Sequence, residues 1–221
     1  MEYYGISIFI GILFVYYINQ FYFKCKNIVI DINDLVIAIY LGAFLGGKLL
    51  YILCDLSFLS DYSFSFFSLD LLCGGFSLLG ASFFAILSLL YYINKNILQK
   101  KVTAFLPISL LFLHSFGRLG CFVADCCGGV FYTLNLHMVS IFFYFLLSLL
   151  GLLLYFFNFL YSFYAGLYYY SLVIFLERFL FDIYRYDCIM LNVFFSKYQL
   201  FSILYLLLSL FCIFIFKKNT K

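Results

Sequence analysis

Residues 114–129 close a long apolar run, yet they hold His114, Arg118, Asp125, three cysteines (Cys121, Cys126, Cys127) and four glycines (Gly117, Gly120, Gly128, Gly129). An arginine beside hydrocarbon costs about 2.5 to 3.5 kcal/mol on insertion scales unless something anionic or wet lies next to it. Arg118 therefore demands a partner, and glycine on both sides lets backbone or ligand approach it closely. That combination reads as a site inside a membrane protein. His114 and Arg118 are spaced i, i+4, which places them on one helix face. The histidine is either a satisfied buried residue or a catalyst.

A second group of charges falls late in the chain. Arg178 and Asp182 are also i, i+4, and Arg185 follows one turn later on roughly the same face. One reading is a self-neutralising pair with Arg185 at the interface. The other is a basic pocket in which Arg178, Arg185 and Arg118 hold a phosphate, because the guanidinium fork donates two parallel hydrogen bonds and stays charged. Lys48, after Gly46-Gly47, either snorkels to an interface or adds a cation to the same pocket. Gly74-Gly75-Phe76-Ser77-Leu78-Leu79-Gly80-Ala81 permits either tight helix packing or a re-entrant turn lining a wet cavity. The cysteine cluster fits no zinc spacing, since adjacent cysteines do not easily share one tetrahedral ion, so neither metal nor cofactor is expected. A disulfide or reactive thiol on an oxidising outer face suits Cys126 and Cys127 better.

The elements that position these residues follow from composition. The 221-residue chain is 67% hydrophobic, 25% aromatic and 10% charged, against about 25% charged residues in soluble domains, which excludes a water-soluble core. A net charge of +3 is too small to imply nucleic acid. A bilayer core needs about 20 apolar residues per helix, and seven stretches qualify: 7–23, 35–53, 69–93, 102–123, 136–157, 164–183 and 199–216. The expected fold is all-α, a polytopic membrane protein of about seven transmembrane helices forming a single integral domain over residues 1–221. The first residues lack a basic segment and cleavage site, so the first stretch reads as a retained span.

Lysines set the orientation. Lys24 and Lys26 follow the first span, Lys95, Lys100 and Lys101 the third, and Lys217, Lys218 and Lys221 the seventh. The positive-inside rule then places the N-terminus outside and the C-terminus in the cytoplasm, against a mild violation by Arg185 and Lys197. Arg118, Cys126 and Cys127 are thereby expected near the outer leaflet.

With these residues laid out, the chain resembles the prolipoprotein diacylglyceryl transferase family. Gly117-Arg118-Leu119-Gly120-Cys121-Phe122, followed by Cys126-Cys127-Gly128-Gly129, resembles its signature in a cysteine-containing form. Leu41-Gly42-Ala43-Phe44-Leu45-Gly46-Gly47-Lys48 resembles the second-span motif, with lysine where arginine is usual, and Gly74-Gly75-Phe76-Ser77 the glycine-rich motif of the third span. The segment from Arg178 through Asp182 and Arg185 to Asp187, then Gln199, resembles the late arginine motif and the glutamine opening the last span. Leu79 stands where the family has histidine, Cys121 and Cys126 where its signature has asparagine and glutamate, and Asp182 where glutamate is usual.

The resemblance implies transfer of a diacylglyceryl group from phosphatidylglycerol to the lipobox cysteine thiol of a preprolipoprotein signal peptide, in the bacterial inner membrane among its lipids. For that activity Arg118 and Arg178 are the expected phosphate and charge stabilisers and Asp182 orients Arg178, while His114 is the best residue left to serve as base. Lys48, Gly74, Gly75, Gly117, Gly120, Cys121, Cys126, Gly129 and Arg185 would surround the substrates. Other readings stay open. One is a phospholipid-using transferase with a different acceptor, in which Cys126 or Cys127 is a covalent nucleophile. Another is a non-catalytic lipid-binding or transport protein, and a thiol redox role is a fourth.

Overall fold

A computed structural model describes residues 2–27, 32–54, 77–95, 104–124, 129–131, 133–185 and 196–219. Within them the chain forms helices α1 (Glu2–Cys25), α2 (Ile32–Cys54), α3 (Leu78–Lys95), α4 (Phe105–Val123), α5 (Leu136–Phe156), α6 (Phe163–Phe181) and α7 (Lys197–Asn219). A two-strand hairpin, β1 (Val130–Phe131) with β2 (Leu134–Asn135), precedes α5, and a 3-10 turn, Asp182–Tyr184, follows α6. Each of the seven apolar stretches holds one helix. The third is described only from Ser77 onward, so Gly74 and Gly75 lie outside the described residues. The hairpin, with an isolated bridge between Gly129 and Arg185, departs from an all-helical expectation.

Helices dominate because the bilayer offers backbone groups no water, and a helix satisfies them within one segment. Among the described residues, α1, α2, α4, α5 and α7 are long and apolar enough to cross a membrane. The surface agrees: Phe9, Phe21, Leu45, Phe159, Leu207 and Phe211 are all exposed. Apolar area on that scale requires hydrocarbon around it. The fold is thus an all-α, multi-pass membrane bundle.

The helices pack in the order α2, α3, α7, α6, α4, α1, and α5 fills the side of α4 and α6. Over half of α4 is buried (56%), against 22–28% of the other four long apolar helices, so α4 is the central element. Small residues set the closest approaches. On α2, a Cβ on Gly42 would fall on Ser88 of α3, and one on Gly46 would fall on Phe84 and the Gly80 carbonyl. The Leu41–Lys48 motif and Gly80 therefore serve tight helix packing. Gly166 of α6 similarly meets Ala104 and Pro107 at the start of α4, where Pro107 is tolerated in the first turn.

Polar contacts fix direction. Near the start of α1, Ser7 donates to the Phe116 carbonyl late in α4 (2.8 Å), and Asn19 donates to Ser109 early in α4 (2.7 Å). The two helices are therefore antiparallel. It follows that the end of α4, the start of α5, the end of α6 and the start of α7 share one end of the bundle. Lys24, Lys217 and Lys218 close helices that finish at the other end.

Candidate functional site

At the shared end, α4, α6 and the turn that follows α6 bring five charges into a row. Arg118 Nη2 donates to Glu177 Oε1 at 2.5 Å. Glu177 Oε2 lies 3.4 Å from Arg178 Nε and accepts from the Tyr144 hydroxyl of α5 at 3.2 Å. Arg178 Nη1 donates to Asp182 Oδ1 at 3.0 Å, and Arg185 Nη1 lies 3.5 Å from the same oxygen. The row runs Arg118, Glu177, Arg178, Asp182, Arg185 with alternating sign and one net positive charge. Glu177 is fully buried and Asp182 nearly so. Ionised groups survive such burial only when paired, and each carboxylate here has two guanidinium neighbours.

The row sits inside the bundle rather than on its rim. Arg118 lies five residues before the end of α4, which is about 7 Å along the axis at a rise of about 1.5 Å per residue. Its Nε is buried and has no hydrogen-bond partner among the described residues. A buried guanidinium donor left open costs free energy until an acceptor reaches it. The arrangement can therefore take an oxyanion beside Arg118.

His114, one turn before Arg118, is half-buried. Its Nε2 shares a 2.7 Å hydrogen bond with the Tyr170 hydroxyl of α6, and its ring stacks on Tyr144 at 5.3 Å between centroids. Tyr144 thus touches both the imidazole and Glu177. The structure brings together His114, Arg118, Arg178, Asp182 and Arg185 as their types suggest.

Two other candidates join from the backbone. Gly129 forms an antiparallel bridge with Arg185, and its carbonyl accepts from Leu136 N at 3.0 Å, so the end of the 114–129 segment clasps the late arginines. Gln199 is part of a capping box. Its Oε1 accepts from Ser196 N (3.0 Å), while Ser196 Oγ accepts from Gln199 N (3.1 Å). Its Nε2 donates to the Phe179 carbonyl at 2.9 Å, tying the start of α7 to the helix that carries Arg178. The ring of Tyr198 lies 5.1 Å from the Arg185 guanidinium carbon, a cation–π distance.

The remaining candidates contribute less directly. Gly120 is buried in the last turn of α4 and Gly117 faces open space. Cys121 is partly exposed. Cys126 and Cys127 lie outside the described residues. Lys48 is carried to the same end of the bundle, with Ser77 N bonded to the neighbouring Gly47 carbonyl at 3.0 Å. Its helix packs chiefly on α3, one helix removed from the charge row.

Glu177 is the residue that sequence reasoning left without a role. The usable signal was stoichiometric. Arg118 needed an anion, and Glu177 was the carboxylate in a span that no i, i+4 spacing had claimed.

The comparisons agree with this architecture. Over 99 residues the chain is 35% identical to the phosphatidylglycerol–prolipoprotein diacylglyceryl transferase of Clostridium tetani, covering 44% of this chain and 39% of that protein. Over 130 residues it is 30% identical to the protein of the same name from Buchnera aphidicola subsp. Schizaphis graminum, covering 55% of this chain and 44% of the relative. The chain spans less than half the length of these curated relatives. No solved structure matches it. A family model described as prolipoprotein diacylglyceryl transferase matches residues 1–215, and that span takes in α1 to α6, most of α7 and all five charges of the row. The chain belongs to the prolipoprotein diacylglyceryl transferase family.

Proposed function

We propose that the protein transfers a diacylglyceryl group from phosphatidylglycerol to the lipobox cysteine thiol of a preprolipoprotein. The observation that carries this reading is the buried arginine row with one excess positive charge and an open donor on Arg118. In the reaction a sulfur–carbon bond forms, the carbon–oxygen bond to phosphate breaks, and glycerol phosphate leaves with the electron pair. Negative charge grows on the phosphate oxygen, and fixed guanidiniums at that position lower the barrier. Arg118 and Arg178 take the phosphate, Asp182 holds Arg178, and Arg185 guides the headgroup. His114, beside the row, accepts the thiol proton. Gly117, Gly120 and Cys121 line the approach to Arg118, and Gly129 fixes Arg185. The family resemblance assigns Lys48, Cys126, Gly74 and Gly75 to substrate binding as well, the last three lying outside the described residues.

The same reading places the protein in the bacterial cytoplasmic membrane with the arginine end outward and the lysine end in the cytoplasm, as the lysine distribution favours. Signal peptides emerging from the membrane meet a lipid donor at that face.

The direct test incubates the purified protein with phosphatidylglycerol vesicles and a lipobox peptide. A peptide mass increased by one diacylglyceryl group, with glycerol phosphate released in equal amount, is the expected result. Intact helical content with no thioether product would remove the activity. Glycerol phosphate release without peptide modification would instead point to a different acceptor.

A further inference from the structure

The carboxylate of Glu177 has no part in the reaction as written, yet it is contacted from three helices. It is fully buried, bonded by Arg118 from α4 and by Tyr144 from α5, and 3.4 Å from Arg178 on its own helix. Residues 177 and 178 are consecutive, so their side chains leave the helix about 100° apart at about 3.6 residues per turn. Glu177 therefore reaches Arg178 only at its Nε and spends its other oxygen on Arg118. Structurally, it links the two arginines that spacing alone would leave on separate helices. Electrostatically, it removes one of two charges that Arg118 and Arg178 would otherwise present together.

We infer that Glu177 is the positioning residue of the arginine pair and sets the pocket's charge, so that the pocket selects a lipid phosphodiester over a phosphomonoester. This rests on the reading of the row as a lipid-phosphate site. A phosphodiester carries one negative charge, which the row's single excess positive charge balances. A phosphomonoester carries about 1.5 to 2 negative charges near neutrality and leaves part of that charge uncompensated in a low-dielectric setting, where it is costly. The same imbalance acts on the product. The reaction turns a diester into a monoester, so the leaving glycerol phosphate is over-charged for the pocket and departs. Without the carboxylate the pocket would carry two excess charges and retain its product.

The test compares affinities of the purified full chain for phosphatidylglycerol and for phosphatidate, a phosphomonoester lipid, in detergent at neutral pH. Wild type is expected to bind phosphatidylglycerol the more tightly. Glu177→Gln keeps the shape and removes the charge, and it should shift the ratio of the two dissociation constants toward phosphatidate by about tenfold or more, as one unit charge at short range implies. Glu177→Asp keeps the charge and shortens the reach, so it should preserve the wild-type ratio while lowering kcat. In the transfer assay Glu177→Gln should lower KM for phosphatidylglycerol and strengthen inhibition by glycerol phosphate.

Wild type binding both lipids equally would overturn the inference, whether or not the Gln variant folds. So would a folded Glu177→Gln protein with an unchanged ratio. A shifted ratio in a protein that makes no thioether would uphold the role of Glu177 while removing the transferase reading, so the two fail separately.

Discussion

Gly129 and Arg185 pair as an antiparallel bridge, and this backbone contact joins the end of the 114–129 segment to the last arginine of the row. A Cβ on Gly129 would press into the Tyr184 carbonyl and the Cα of Arg185. Gly129→Ala is therefore expected to part the bridge and draw Arg185 away from Asp182 and Tyr198. Overpacking of this kind costs about 1–3 kcal/mol. Steady-state kinetics on phosphatidylglycerol should show KM rising more than kcat falls. A variant with unchanged KM would mean that Arg185 does not meet the headgroup.

Arg118→Ala should cost about a hundredfold or more in turnover, the usual loss when a fixed donor to a developing anion is removed. Glu177 would keep Arg178 and the Tyr144 hydroxyl as neighbours, so membrane yield and helical circular dichroism should stay near wild type. Full turnover in the Ala variant would end its assigned part in the chemistry.

His114→Gln keeps a polar atom for Tyr170 to bond but supplies no proton acceptor. Turnover is expected to fall by about 100- to 10,000-fold, the range typical of general base loss, with thermal stability little changed. Tyr170→Phe removes only the hydroxyl that meets Nε2 and should fall between the Gln variant and wild type. If His114→Gln were fully active, the base would have to be sought elsewhere.

Gln199→Ala would break the capping box with Ser196 and the bond to the Phe179 carbonyl together. Loss of a helix cap costs about 1 kcal/mol, and the second bond adds to it. A lowered Tm in detergent is the expected result, with kcat affected only through the placement of Arg178. An unchanged Tm would show that α7 is held by its packing alone.

Much of this arrangement was legible in the residues. Seven apolar stretches became seven helices, and five of these are long and apolar enough to cross a bilayer among the described residues. The Arg178–Asp182 contact follows from i, i+4 spacing within one helix. Arg118 and Glu177 lie 59 positions apart, and only the rotation of α4 against α6 makes them neighbours. Those helices are too apolar all round for any periodic stripe to reveal that rotation. The Gly129–Arg185 bridge and the short hairpin beside it rest on backbone pairing of two-residue strands, too brief to leave an alternating pattern. The glycines before Lys48 had two open readings, and the structure shows that they bind α2 to α3 while Lys48 itself is carried to the arginine end.

Most of the described cations divide between the two ends of the bundle: Lys24, Lys217 and Lys218 close α1 and α7 at one end, and Arg118, Arg178 and Arg185 gather where α4 and α6 finish, with Lys48 and Lys197 also at the arginine end. Lysines on loops govern which way a membrane protein is threaded, whereas arginines sunk within the helices weigh little in that decision. If the arginine row is the lipid-phosphate site proposed above, threading and recognition rest largely on separate residues. A protein whose arginine end is emptied of charge should still insert the same way round, so reporter fusions on silent variants would retain the wild-type topology. On that reading the arginine end could diverge toward other anionic substrates without building the molecule upside down.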